Sequence, residues 1–409
     1  MSPRAGLVAL FVANTISALG SRVSFVAIPW LVLTSTGDPA KMGLVIVAQT
    51  IPYLLSGIFL TPLAERLGIK RSAVLTDLVS VATTAAIAAI PGIGVPTLIV
   101  LSAAEGSVRG AGDRTKHVLL RPMAEAAGLG IKRMTAVHDG LGNAATLIGA
   151  PVGGLLVYWL GAQGAIWTES GASLITAAMV ITLVHPPAEL LPKPEAKPEP
   201  YLVALRGGAR QLLRDRLLLS MLLMAFFANA VNQAHTALFV PLWIEQKLHS
   251  PAALGTVFAA FSAGAVLGNL VFIAIVPRLP QYLTFTICLA ISGAPRLFVL
   301  GLSDNLALVL GVTFMSGLAV SAVNPILGAV LFERVPNEMQ TRVFGLVATV
   351  TYAGYPVGGV LGGWGVSAFG LTTSVLFGGV VYLLATMVPL ARHRAGDAVQ
   401  HRRPDDSLA

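Results

Sequence analysis

Long runs of apolar residues separated by short polar segments make up almost the whole chain. A helix that crosses the hydrocarbon core of a membrane needs about 20 consecutive, mostly apolar residues. The runs are continuously apolar rather than alternating, which favours helices over the strands of a transmembrane barrel. Windows of this length predict an all-α membrane protein with twelve transmembrane helices, at residues 6–35, 40–63, 72–91, 95–114, 136–160, 164–184, 217–244, 253–277, 282–302, 305–332, 343–368 and 371–391.

The composition supports a membrane location, because 55% of the residues are hydrophobic, only 11% are charged and the mean hydropathy is +0.78. Such a chain has too little polar surface for a water-soluble globule. Most of the 27 lysines and arginines fall on one side of the predicted spans. The positive-inside rule makes that side cytoplasmic, and an even number of spans places both termini there. The net charge of +8 therefore reflects topology and does not indicate a nucleic-acid partner.

The chain divides near its middle. Residues 185–200 contain six prolines among charged residues, which is typical of an extended linker, and residues 201–216 have the pattern of a basic amphipathic helix on the membrane face. We predict four segments: an N-terminal six-helix half at 1–184, a cytoplasmic linker at 185–216, a C-terminal six-helix half at 217–391 and a cytoplasmic tail at 392–409.

A short sequence recurs in the two predicted halves. Pro-Val-Gly-Gly occurs at 151–154 in the fifth span and again at 356–359 in the eleventh, which is the fifth span of the second half. Internal repeats of this kind are common in secondary transporters. The recurrence favours an ancestral duplication of a six-helix unit.

Six plus six helices, a basic central loop and this repeat resemble the major facilitator superfamily of secondary transporters. Three stretches sharpen the resemblance: the loop from Thr61 to Arg71, the glycine and proline positions of the fifth span, and the first helix from Leu19 to Leu33. The last two are similar to bacterial drug/proton antiporters such as macrolide and tetracycline exporters. The resemblance implies the major facilitator fold, with two halves that rock around a midplane cavity.

The resemblance also implies residues that control the conformational change. Glu65 and Arg66 are expected to pair across the halves and hold one conformation, although ordinary positive-inside charge explains this loop as well. The glycine-rich fifth helix is expected to bend and pack tightly, and plain helix packing is the alternative. The predicted gating residues are Glu65, Arg66, Gly68, Lys70, Arg71, Gly149, Pro151, Gly153 and Gly154.

Charged residues inside the predicted spans are the most informative positions, because they are costly in lipid and usually line a cavity or form pairs. Glu105 and Arg109 lie four residues apart on one face of the fourth span, and Arg22 lies in the middle of the first. In the family both helices line the cavity, so an Arg22–Glu105–Arg109 cluster is expected. We predict Glu105 as the proton-coupling carboxylate; the alternatives are a static ion pair or a fourth span whose Arg109 lies near the surface.

His235 is the alternative coupling residue, since histidine titrates near physiological pH. It belongs to a polar run in the seventh span, for which substrate contact and interhelical hydrogen bonding are the two interpretations. Glu169 and Arg296 are expected near outer helix ends, and Asp77 and Asp139 near inner ones, in solvated or structural roles. The predicted cavity residues are Asn14, Gln49, Asn143, Asn229, Asn232, Gln233, Thr236, Asn324, Tyr352 and Tyr355.

No nucleotide-binding loop, catalytic triad or metal-ligand spacing occurs, and Cys288 is the single cysteine, so we predict neither an enzyme nor a cofactor or metal site. The predicted function is export of amphipathic small molecules by proton antiport. The expected setting is a monomer in the lipid bilayer of a bacterial inner membrane, with protons and the substrate as partners. The alternatives are a dedicated exporter of one metabolite such as a siderophore or antibiotic, a proton-coupled uptake symporter, and a non-transporting sensor or lipid-handling protein.

Overall fold

A computed structural model describes residues 2–59, 67–187, 210, 212–213, 215–275, 280–335 and 340–400. The regular structure in these ranges is helical throughout. Numbered along the chain, the helices are α1 Pro3–Thr36, α2 Pro39–Phe59, α3 Ile69–Ala89, α4 Val95–Ala126, α5 Ile131–Leu183, α6 Arg216–Ala234, α7 Val240–Lys247, α8 Pro251–Ile275, α9 Gln281–Leu302, α10 Leu306–Val320, α11 Val323–Arg334, α12 Gln340–Phe369 and α13 Leu371–Gln400; a π-helical turn, His235–Phe239, joins α6 to α7.

Each of the twelve predicted spans overlaps these helices, although residues 60–63 and 276–277 of two spans lie outside the described residues. Within the described ranges, seven segments are both long enough and apolar enough to cross a membrane. One of the seven, Arg133–Leu183, is 51 residues long and takes in two of the predicted spans. The chain is therefore a multi-pass helical protein, and the number of twelve crossings stays a prediction.

The longest helix, α5, is interrupted at Gly161. Its 53 residues at about 1.5 Å each would reach far beyond a hydrocarbon core of about 30 Å. Gly161 has φ 72° and ψ 172°, a backbone conformation that residues with a side chain rarely adopt. The break falls between the fifth and sixth predicted spans and divides α5 into a first and a second arm.

The helix that contains the fourth predicted span is longer than the span. Hydropathy ended the span at residue 114, but α4 continues to Ala126. Lys116, which the sequence assigned to a cytoplasmic segment, is instead 3% exposed inside this helix. Hydropathy treats every charge as if it faced lipid or water, whereas here a buried carboxylate on α3 compensates the lysine.

The described chain forms two compact units. The first unit combines α1 to α5 with Gln233–Ser262 and Tyr355–Leu371, and the second includes Ala263–Gly354 and most of α6 and α13. In the first unit, α1 packs along both arms of α5, and α2 packs along α4. In the second, α9 packs against α10.

Glycines bring helices of the first unit into backbone contact. A Cβ atom on Gly43 of α2 would collide with the carbonyl oxygen of Gly359 on α12, and one on Gly154 of α5 would lie 2.5 Å from the Cα atom of Gly255 on α8. Small residues allow helices to approach closely within a membrane, where packing must drive association. Gly43 and Gly154 thus lie at tight helix contacts.

In the second unit, Asp215 caps the start of α6. Its carboxylate accepts hydrogen bonds from the backbone N–H groups of Leu217, at 3.0 Å, and Leu218, at 3.2 Å, and pairs with Arg334 at 3.1 Å. Partial burial raises the pKa of Asp215, but these N–H donors and the guanidinium together outweigh it, and the net result is a lowered pKa.

This cap predicts a pH-dependent stability. Asp215→Ala is expected to destabilise the protein by about 0.5–2 kcal/mol at neutral pH, the usual cost of a lost helix cap. A carboxyl group with a lowered pKa stabilises the folded state only while it is ionised. The difference in free energy of unfolding between Asp215→Ala and wild type should therefore narrow as the pH falls below about 4. Thermal unfolding in detergent at several pH values measures this. A stability difference that stays constant down to acidic pH would mean that the charge of Asp215 does not contribute to folding stability.

Candidate functional site

Five charged side chains lie close together in the interior of the first unit, and we call them the charge cluster: Asp77 on α3, Glu105, Arg109 and Lys116 on α4, and Glu169 on the second arm of α5. Four of them are at most 5% exposed, and the side chain of Arg109 is 13% exposed. Charges buried to this degree in a membrane protein are typical of ion or substrate pathways.

Glu105 is completely buried, and both of its carboxylate oxygens have partners. Its Oε1 atom accepts a hydrogen bond from the Ser80 hydroxyl at 2.6 Å and lies 2.9 Å from the Nη2 atom of Arg109. Its Oε2 atom accepts from the Thr83 hydroxyl, also at 2.6 Å. Ser80 and Thr83 on α3 and Arg109 on α4 together engage both oxygens of Glu105.

Arg109 joins two acidic side chains. Its Nη2 atom contacts Oε1 of Glu105 and also Oε1 of Glu169. Glu169 is completely buried, and a Cβ atom on Gly20 of α1 would lie 3.5 Å from its Cγ atom. One guanidinium nitrogen thus connects α4 to the second arm of α5.

A second ion pair lies further along α4. The Nζ atom of Lys116 is 2.8 Å from Oδ1 of Asp77 and 3.0 Å from the Ser17 hydroxyl of α1. A small cavity of about 10 Å³, roughly the space of one water molecule, adjoins this pair. Asp77, Arg109 and Lys116 all line it, so it connects the two parts of the charge cluster.

Arg22 does not join the cluster, so this part of the prediction is wrong. Its side chain is exposed and lies beside Gly149, where a Cβ atom would be 2.5 Å from the Cβ of Arg22. The residues of α1 that face the cluster are Ser17 and Gly20. Arg22 follows Ser17 by five residues, which turns it about 140° around the helix axis.

Glu169 is one of the members of the cluster that sequence reasoning missed. It was expected in a solvated or structural role near the outer end of the sixth span, but it is fully buried and paired with Arg109. A sequence signal for this did exist. Glu169, Ser173 and Thr176 follow the i, i+4, i+7 spacing of one helix face, and all three are buried. Asp77 was likewise expected in a solvated or structural role near the inner side and is 5% exposed, whereas Asp139 is exposed.

The polar run of the seventh span is partly used in contacts between helices of the second unit. The Asn229 amide donates to the carbonyl oxygen of Thr351 at 3.0 Å, and the Oδ1 atom of Asn232 accepts from Arg296. Arg296 was expected near an outer end, in a solvated or structural role, and it is 7% exposed. These contacts favour the hydrogen-bonding interpretation for the two asparagines.

His235 begins the π-helical turn and is 4% exposed. Gln233 is 3% exposed and Thr236 is half-buried. Single π turns occur frequently at functional sites, and nothing in the polarity pattern of the sequence indicated this one.

The remaining cavity candidates are dispersed, and none of them lines the cavity of the charge cluster. Asn14, Gln49 and Tyr355 are half-buried, and Asn143, Asn324 and Tyr352 are exposed.

The predicted gating residues are placed as follows. Glu65 and Arg66 lie outside the described residues. Gly68 precedes α3 with φ 91°, Lys70 donates from Nζ to the carbonyl oxygen of Ile181 at 2.9 Å, and Arg71 is exposed.

Three glycines of the fifth span, Gly149, Gly153 and Gly154, lie at close contacts between helices. Gly149 and Gly153 face α1, with a Cβ atom on Gly153 lying 3.1 Å from the Cα of Val23, and Gly154 faces Gly255 on α8. Pro151 lies inside α5, and its carbonyl oxygen is 3.3 Å from the Cβ position of Gly255.

Multi-pass helical proteins with charged side chains buried inside the helix bundle include the membrane transporters. The sequence profile of the Major Facilitator Superfamily matches residues 10–239 and 222–405. The chain therefore belongs to the Major Facilitator Superfamily, whose members are transporters and not enzymes.

Relatives and solved structures agree with this membership. The chain is 25% identical over 376 residues to the multidrug efflux pump Tap of Mycolicibacterium fortuitum, covering 90% of this chain and 91% of Tap. It is 23% identical over 370 residues to Tap of Mycobacterium tuberculosis strain H37Rv, covering 89% and 88% of the two chains.

Among solved structures, the nucleoside transporter NupG superposes with a TM-score of 0.78 at 13% identity, covering 95% of this chain and 99% of NupG. A bacterial homologue of the human lysosomal transporter Spinster, in an inward-facing and unoccupied conformation, superposes with a TM-score of 0.71 at 15% identity, covering 96% and 97%. At these identities the likeness concerns the fold alone.

Proposed function

We propose that this chain is a secondary active exporter of amphipathic small molecules that works by proton antiport and alternating access. The observation that carries the proposal is the charge cluster in the first unit. Three acidic and two basic side chains buried within membrane helices are costly, and such groups mark proton relays in pumps and transporters. Membership of the Major Facilitator Superfamily supplies the transporter class, and the relatives named multidrug efflux pumps favour export of drug-like molecules.

In this proposal the pair of Glu105 and Arg109 is the coupling centre. A proton that enters or leaves the cluster changes its net charge, and thereby the relative stability of the conformations that expose the substrate site to either side. The proton has to bind one conformation more strongly than the other by only a few kcal/mol to drive such a shift. The energy comes from the proton gradient, consistent with a sequence that shows no nucleotide-binding loop.

The proposed arrangement is a monomer in a bacterial inner membrane, with twelve spans in two six-helix halves and both termini cytoplasmic. The excess of lysine and arginine on one side of the predicted spans supports this orientation. The gating pair Glu65 and Arg66 belongs to the same proposal, as does substrate contact by Gln233, His235 and Thr236 of the seventh span.

The test is transport of ethidium, a fluorescent lipophilic cation, into inside-out vesicles with an acidic interior. We expect wild type to accumulate ethidium, an ionophore that collapses the pH gradient to abolish the signal, and tetracycline and a macrolide to compete. Glu105→Gln should remove gradient-driven accumulation, because it removes one charge of the coupling centre.

A matched control is Glu125→Gln, which changes an exposed glutamate at the end of α4 that pairs with Arg121 at 2.9 Å. This variant should transport like wild type, since exposed pairs of this kind contribute about 0–1 kcal/mol. Full gradient-driven transport by Glu105→Gln at normal protein levels would remove Glu105 from the mechanism. Absence of gradient-driven transport of every probe by folded wild type would overturn proton-coupled drug export.

A further inference from the structure

The charge cluster contains one acid too many for its cations. Three carboxyl groups, those of Asp77, Glu105 and Glu169, lie with only two basic groups, those of Arg109 and Lys116. If all five were ionised, a net negative charge would be buried in a low-dielectric interior, which is strongly unfavourable. One bound proton makes the cluster electrically neutral.

The ion pairs within the cluster indicate which of the three carboxyl groups holds that proton. Asp77 has Lys116 as its own counter-ion at 2.8 Å. Its second oxygen, Oδ2, is buried without a hydrogen-bond partner among the described residues, as is Oε2 of Glu169. What distinguishes Asp77 is that, in the part of the chain that the structure describes, no other carboxyl group contacts the Nζ atom of its lysine.

Glu105 and Glu169, in contrast, share a single cation. The same Nη2 atom of Arg109 contacts one oxygen of each, so the two carboxyl groups are immediate neighbours. Two carboxyl groups at one site repel each other when both are ionised, and one of them holds a proton. The proton thus belongs to this glutamate pair.

The two glutamates differ in their hydrogen bonds. Glu105 receives short hydrogen bonds from Ser80 and Thr83 in addition to Arg109, and all three donors favour its ionised form. Glu169 receives only Arg109 on Oε1, and its Oε2 atom is buried without a hydrogen-bond partner among the described residues. An unpartnered buried oxygen is far less costly as a neutral acid than as part of a carboxylate.

We infer that Glu169 is the proton-carrying acid of this protein and that Glu105 is the permanently ionised partner that anchors Arg109. The inference rests on the proposed function and deepens it, since it moves the exchanged proton from Glu105 on α4 to Glu169 on α5. Loss of the proton from Glu169 leaves two carboxylates competing for Arg109. The charged groups that face Glu169 are Arg109 and Glu105 from α4, with Asp77 on α3 and Lys116 on α4 completing the cluster; the contact from α1 is the uncharged Gly20. The exposed Asp113 of α4 also lines the adjoining cavity, and its carboxyl group adds to the negative side of the balance.

A site-resolved test uses dicyclohexylcarbodiimide, an apolar reagent that modifies carboxyl groups in their protonated form. The acid proton moves to a nitrogen of the carbodiimide, the carboxyl oxygen bonds to its central carbon, and acyl transfer then gives a stable N-acylurea. Peptide mass spectrometry of wild type at neutral pH is expected to find this adduct on Glu169 and not on Glu105. An adduct on Glu105 or Asp77 instead, or on none of the three, would overturn the inference.

The functional test compares Glu169→Gln with Glu169→Asp. Glu169→Gln should retain ethidium exchange across vesicles without a gradient and lose gradient-driven accumulation, because a glutamine carries no exchangeable acid proton. Glu169→Asp should keep gradient-driven accumulation at a reduced rate, whereas a purely structural role predicts that both variants lose exchange and accumulation together. Gradient-driven accumulation by Glu169→Gln at the wild-type level would contradict the inference.

These experiments separate the inference from the proposed function. An adduct on Glu169 in a wild-type protein that accumulates no ethidium supports the assignment of the proton and overturns drug export. Gradient-driven transport by wild type with the adduct on Glu105 supports drug export and overturns the assignment. If Glu169→Gln does not fold, the labelling of wild type still decides the assignment.

Discussion

Lys116→Met is expected to destabilise the folded protein by about 3–5 kcal/mol, the usual cost of leaving one partner of a buried ion pair without the other. Methionine is unbranched and apolar like the carbon stem of lysine, so it fills most of the space of the lysine side chain. It leaves Asp77 buried beside an apolar group, with its counter-ion at 2.8 Å removed. The cost arises from the uncompensated carboxylate and not from a cavity.

A double variant separates these causes. Asp77→Asn combined with Lys116→Met removes both charges and should recover most of the lost stability, since replacing a whole buried pair is often nearly neutral. Lys41→Met is the matched control, because Lys41 pairs with Asp38 at 3.4 Å with 46% of its side chain exposed. That change should cost about 0–1 kcal/mol. Thermal unfolding followed by gel filtration in detergent measures all three, and wild-type stability of Lys116→Met would contradict the buried pairing.

Gly43→Ala is expected to shift the conformational equilibrium of the transporter. The added methyl group collides with the backbone carbonyl of Gly359 and lies close to Gly363, both on α12, and a backbone neighbour cannot turn aside as a side chain can. Overpacking costs about 1–3 kcal/mol, which corresponds to a population change of about 5- to 150-fold. In alternating access this penalty applies only to conformations in which α2 and α12 touch.

Spin labels can follow this shift. Cysteines at the exposed positions Lys41 and Trp364, in a Cys288→Ser background, report the separation of α2 and α12 by pulsed electron resonance. We expect Gly43→Ala to raise the population with a long distance and to slow ethidium transport. Gly140→Ala on α5, where an added Cβ atom meets no atom within 4 Å, should leave both unchanged. An unaltered distance distribution in Gly43→Ala would mean that this contact does not open during transport.

The helices and part of the charge cluster were predictable from the sequence because both depend on local information. Hydrophobic runs locate helices, and the four-residue spacing of Glu105 and Arg109 places them on one face, where the structure brings them to 2.9 Å. Glu169 and Lys116 were not recognised, because their burial depends on partners from other helices. Hydropathy averages the polarity of neighbouring residues along the chain, and that average does not show which side chains meet a partner on another helix.

Arg22 shows the converse error, because it was predicted in the cluster and lies outside it. Its depth in the first span was predicted, but its direction depends on how α1 is rotated against α4 and α5, which a single sequence does not specify. Ser17 and Gly20, a small polar residue and a glycine, are the α1 residues that face the cluster. These small residues make room for buried charges on neighbouring helices.

The π-helical turn at His235–Phe239 accommodates one more residue than an α-helical turn does. Removal of a single residue there would convert the turn to α-helix while leaving the rotational phase of α6 and α7 nearly intact. Alignments of this chain with its relatives are therefore free to contain a one-residue gap inside a membrane helix at this point, where gaps are ordinarily disallowed.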